Sequence, residues 1–206
     1  MTQRIPADFA PDPLRERLEA MDSGHLEWHR DTMQTRWTDG YSQSELDAAQ
    51  ERYGLRFPAD LIDLLLDRRP VDGWDWRKDD EGIREMLAHP LEGILFDVEH
   101  NNLWWPEWGS KSASAIEREA VVVSVVAAAP RLIPLIGHRY IPEEPNERGN
   151  PVFSVMQSDV IYYGSDLADY FEREFHPLPG RPAVADARYI PFWSDLVDRN
   201  GLLDVR

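Results

Sequence analysis

Four side chains in this sequence are of the types a divalent metal takes: Asp97, Glu99, His100 and, far along the chain, His138. If the apolar run at residues 94–98 forms a strand, alternate residues share a side, so Asp97 and Glu99 converge. An ion held there would make the protein a small metal-dependent hydrolase. The spacing weighs against it: no HExxH is present, and no local pattern ties His138 to the other three. A packed His138, or an ion pair from Arg139 to one of these carboxylates, accounts for the same residues without a metal. No GxSxG presents a serine nucleophile, and the glycine patterns of phosphate and dinucleotide sites are missing. The absence of cysteine removes thiolate nucleophiles, cysteine zinc sites and disulfides together, and suits a reducing compartment. With 38 acidic residues, carboxylate pairs can be assembled anywhere, so abundance alone marks no glycosidase site. The expectation is a chain with no catalytic residue, no metal and no cofactor.

Binding is the stronger theme. Trp104, Trp105 and Trp108 lie within five residues. Adjacent tryptophans on an extended segment point to opposite sides, so Trp104 and Trp105 cannot both enter one core. Interfaces favour tryptophan anchors; sealing the end of a small core is the plainer use of these rings. Trp74 and Trp76 flank Asp75, which places both rings on one face and the carboxylate on the other. Around them Asp72, Asp75, Asp79, Asp80, Glu81 and Glu85 form the densest acidic stretch, only partly offset by Arg77, Lys78 and Arg84, and the first five are the candidate rim charges. An acidic rim on aromatic anchors suits a basic protein surface, with charge steering the encounter and the rings supplying affinity. A solvated charged face is the alternative.

The balance of 38 acidic against 22 basic residues gives a net charge of −16 at pH 7, which repels nucleic acid and anionic membrane. The start of the chain has no apolar signal segment, and the longest greasy stretch, residues 120–129, is too short to span a bilayer. A cytoplasmic protein is the expectation.

The elements that must position these residues read as follows. A helix is expected over residues 13–21. A second starts at Ser42, where Ser42 and Glu45 form a capping box, Leu46, Ala49 and Tyr53 make a stripe, and Gly54 ends it. Pro58 opens a third, stopped at Arg69-Pro70. Residues 79–87 read as helix, and residues 94–98 as strand. Ser114 and Glu117 supply another capping box for a helix through Ala128, despite its valines. Short strands at 132–136 and 139–141 precede a polar loop, residues 142–150, expected to be mobile. Then come a hairpin turning at Ser158-Asp159 and a helix capped by Ser165 that buries Leu167, Tyr170, Phe171 and Phe175. Beyond Pro177 the chain reads as coil with one helix near residues 192–197. The class is α+β: a small, mostly antiparallel sheet flanked by N-terminal and C-terminal helices.

Taken in order, YGLRFPADLIDLL, DVEHNNLWWPEWG and APRLIPLIGHRYIP followed by VFSVMQSDVIYYGSDLADYFEREF resemble the SUKH superfamily, bacterial proteins related to a yeast cell-wall assembly regulator. The resemblance covers residues 42–175, about two-thirds of the chain. It implies a single domain over 1–206, with an N-terminal extension at 1–41 and a C-terminal tail at 176–206. It further implies front helices, a central antiparallel sheet, and no general enzymatic activity or cofactor. Many such proteins are immunity proteins that bind and neutralise a cognate toxin, often a nuclease or deaminase; others are regulatory or scaffold modules. The expected partner is therefore a protein, a basic toxin domain above all.

Overall fold

The computed structural model describes residues 36–176 and 180–203; the helix expected at 13–21 lies outside them. In chain order the elements are β1 (Trp37–Asp39), α1 (Gln43–Tyr53), α2 (Ala59–Asp67), β2 (Arg68–Pro70) and α3 (Glu81–His100). A 3-10 turn (Pro106–Trp108) and α4 (Ala115–Ala128) follow. Then come β3 (Leu132–Pro134), β4 (Arg139–Pro142), β5 (Val152–Met156), β6 (Asp159–Gly164), α5 (Leu167–Phe175) and α6 (Trp193–Leu203). The class is α+β: β3-β4-β5-β6 form one antiparallel sheet, and β1 and β2 a small second one.

The start of α1 follows from its cap. Ser42 accepts from the Glu45 amide while the Glu45 carboxylate accepts from the Ser42 amide at 2.8 Å, satisfying two otherwise orphaned donors. Gly54, at φ 63, closes the helix in the left-handed region. α2 stops at Asp67, two residues before the expected Arg69-Pro70 break, because Arg68–Pro70 pairs with β1.

The strand expected at residues 94–98 is the last third of a 20-residue helix, α3, nucleated by Asp80 accepting from the Gly82 amide at 2.8 Å. Its buried residues Ile83, Pro90, Ile94 and Val98 recur at helical spacing. Pro90 lacks the amide that an interior position would donate, a cost of about 3 kcal/mol that burial of the flanking apolar residues offsets.

Three local features differ from expectation. At α4 the Ser114 side chain makes no cap; Ser112 Oγ instead takes the Ser114 amide (3.1 Å) and donates to Glu117 (2.5 Å). The hairpin turns at Gln157-Ser158, one residue early, since Met156 pairs with Asp159. At α5 the capping side chain is Asp166, which accepts from the Asp169 amide at 2.8 Å, with Ser165 donating its own amide to Asp169.

The main sheet divides two hydrophobic cores. Ile133, Ile141 and Val152 face the core of α1, α2 and α5; Leu132, Tyr140, Phe153, Val155 and Val160 face that of α3, α4 and α6. Ile190, Phe192, Trp193 and Leu196, all beyond Phe175, belong to this second core. The loop at 142–150 is tied down rather than free: Asn150 is fully buried and donates to the Pro142 and Pro145 carbonyls, and Gly149 donates to the buried Asp60 at 2.8 Å.

Gly93 lets α3 meet the hairpin turn. A Cβ there would stand 2.7 Å from Gln157 Cα, which is backbone and cannot yield cheaply. Gly93→Ala gains up to about 1 kcal/mol of helix propensity and loses about 1–3 kcal/mol to overpacking. Net destabilisation is expected, and an unchanged or raised urea midpoint would contradict this packing.

Candidate protein-binding surface

On α3, Asp97 and Glu99 point in different directions, about 200° apart around the axis, so the strand-based convergence does not occur. Asp97 is buried; its Oδ2 accepts from the Ser158 amide (2.8 Å) and hydroxyl (2.5 Å), and its Oδ1 from Asn101 (2.6 Å). Glu99 is held by both arms of Arg118 (2.8 and 2.5 Å), and this guanidinium lowers its carboxyl pKa. The His100 ring packs on Phe96, 4.5 Å between centroids. Arg139 pairs with Glu174 (3.7 Å), not with Asp97 or Glu99 as expected. Among the described residues no group of three or more His, Asp or Glu is placed to hold a metal.

His138 sits in a polar junction of β4, α3 and α5. It contacts Arg139, whose guanidinium also donates to Ser154 (2.9 Å) and lies 3.8 Å from the centre of the Tyr163 ring. Glu174, Arg139 and His89 all act on the imidazole; burial first, then Arg139, depress its pKa. The unfolded chain therefore takes up this proton at higher pH than the folded one. Stability from neutral His138 is full above about pH 6.5 and is lost as pH falls below it. Between pH 7.5 and 5.5 the wild type should lose more stability than His138→Gln in urea titrations. Parallel losses would show that His138 is not the titrating group.

The two tryptophan groups differ in surroundings. Trp76 is 4% exposed and packs edge-on to Tyr53 and Phe57, at 5.7 and 5.1 Å. Trp74 is half-buried against the same core, beside a cavity of about 20 Å³, room for a single water, and its buried indole N–H has no partner among the described residues. In the acidic stretch around them, two of the five candidate rim carboxylates, Asp75 and Asp79, are ion-paired. Arg77 binds Asp75 through two bonds (2.8 and 2.9 Å) and holds its pKa far below the usual carboxylate range; Lys78 adds a contact at 3.6 Å. Asp79 is paired with Arg84 at 2.6 Å, Asp80 is the cap of α3, Glu81 lies in that helix's first turn, and Asp72 is exposed.

In the second group Trp105 is 8% exposed and packs on Phe192, while Trp104 and Trp108 are half-buried like Trp74, edge to face at 5.4 Å. Trp104 donates its indole N–H to the Gly109 carbonyl at 2.8 Å. Residues from α6 and its approach, to which sequence reasoning assigned no role, complete this surface. The Arg199 guanidinium lies 4.0 Å over the Trp105 ring and binds Glu107 at 3.0 Å. Asp195 accepts from the exposed Tyr189 hydroxyl at 2.6 Å and from the Phe192 amide at 3.1 Å. Asp198 is exposed nearby on the same helix. The only sequence signal was Glu107, set between Trp105 and Trp108.

Comparison with protein-family models, curated proteins and solved structures gives no match. Among the described residues no helix is long and apolar enough to cross a membrane.

Proposed function

We propose that this chain is a cytoplasmic, non-catalytic, SUKH-like immunity protein that neutralises a cognate toxin, a basic nuclease or deaminase domain, by stoichiometric binding. The observation that carries the reading is the ordered resemblance over residues 42–175. A net charge of −16 supports it, because an acidic binder meets a basic partner quickly. So do the partly buried Trp104 and Trp108, whose flat rings make good anchors. Charge governs association and the buried centre governs dissociation, so binding slows with salt while the formed complex persists.

The test is affinity capture at low and high salt, followed by co-expression of the retained polypeptide with and without this protein. A toxic polypeptide held one-to-one, whose growth inhibition is relieved by this protein, is the expected result. Recovery of a non-toxic housekeeping protein would replace the reading with a regulatory scaffold, and salt-independent association would remove the steering argument.

A further inference from the structure

The structure separates two surfaces that the sequence presents as equivalent. At residues 72–81 the carboxylates Asp75 and Asp79 are ion-paired and Trp76 is core. Beside the 3-10 turn, the exposed Tyr189 and the partly buried Trp104 and Trp108 lie among Glu107, Asp195 and Asp198, and the cation bound there is Arg199. Asp195 is satisfied by neutral donors, so its hydrogen bonds leave its negative charge in place. Arg199 shows what this surface accepts: a guanidinium stacked at 4.0 Å over an indole with a carboxylate at its edge. Arginine suits both demands better than lysine, because its planar group stacks on rings and forks onto carboxylates.

We propose that the surface formed by Trp104, Trp108, Tyr189, Glu107, Asp195 and Asp198 is the docking face for an arginine presented by a basic protein partner. The incoming guanidinium repeats beside Trp108 the arrangement that Arg199 makes on Trp105. The carboxylates raise the local concentration of cationic partners, and the rings select arginine among them. This rests on the partner-binding reading above and names the face it uses.

The probe is a hexa-arginine peptide, compared with hexalysine at low salt and followed through the indole N–H resonances of the eight tryptophans. Hexa-arginine should move the Trp104 and Trp108 signals, leave Trp74 in place, and bind at least about tenfold tighter than hexalysine. Glu107→Gln with Asp198→Asn should weaken binding about tenfold, whereas Asp75→Asn with Asp79→Asn should not. Arg199→Ala, which vacates Trp105 and Glu107, should tighten it a few-fold. Equal binding of the two peptides, shifts centred on Trp74, or indifference to the Glu107 and Asp198 changes would overturn the assignment. A positive peptide result without any captured toxin would remove the immunity reading and leave this surface standing.

Discussion

Replacing Asp97 with alanine should lower stability by about 3 kcal/mol, seen as a large drop in urea midpoint at unchanged slope. The carboxylate is 3% exposed and collects three donors: the amide and hydroxyl of Ser158 and the Asn101 side chain. Alanine leaves the Ser158 amide and hydroxyl short of an acceptor in a partly buried turn, while the exposed Asn101 can turn to water, and a buried unpaired donor costs more than a formed bond returns. The loss is concentrated at one place, because Ser158 belongs to the turn joining β5 to β6. Its neighbour Gln157 has φ 60, a left-handed conformation that a side chain disfavours. Asp97 fixes that turn against α3. Asp97→Asn should cost less, since Asn101 can rotate its amide to present oxygen. Double-mutant coupling between Asp97 and Ser158 should exceed about 1 kcal/mol. A loss below about 1 kcal/mol for Asp97→Ala would show that the turn holds itself.

Trp193→Ala is expected to cost about 4 kcal/mol and to lower Tm by about 10 °C. Trp193 is 2% exposed, lies edge-on to Phe192 at 4.9 Å, and donates its indole N–H to the Pro130 carbonyl at 2.7 Å. The truncation removes ring volume from the second core and orphans the carbonyl that follows α4. Trp193→Phe keeps most of the volume and loses the hydrogen bond, so about 1–2 kcal/mol is its share. A Tm shift of only about 3 °C for the alanine variant would mean that the chain after Phe175 adds little to the core.

Local chemistry was readable where a few neighbouring residues decide the outcome. Ser42, Glu45 and Gly54 fix both ends of α1 without help from the rest of the chain, and alternation at residues 152–163 gives the hairpin. Where tertiary contact outweighs local preference, the sequence misleads. Ile94–Val98 is apolar and contains two β-branched residues, and Pro90 and Gly93 just before it look like a helix end. The helix continues because Ile83, Ile94 and Val98 share a face and because Gly93 must pass close to Gln157, neither of which a short window reveals. The tryptophans illustrate the same limit for the binding surface. Alternation separates Trp104 from Trp105, but only the approach of Phe192 and Arg199, more than 80 residues away, determines which ring is covered.

The partition of the sheet between two cores has a consequence for how disturbances spread. β4 and β5 are the inner strands, and successive residues such as Tyr140 and Ile141, or Val152 and Phe153, enter opposite cores. Their amides should be the slowest in the molecule to exchange with deuterium, because releasing them requires both cores to open. A ligand that clamps α6 stiffens a wall common to both sides. Slower exchange should then extend to α1, α2 and α5, on the far side of the sheet, with no hinge or moving segment between them.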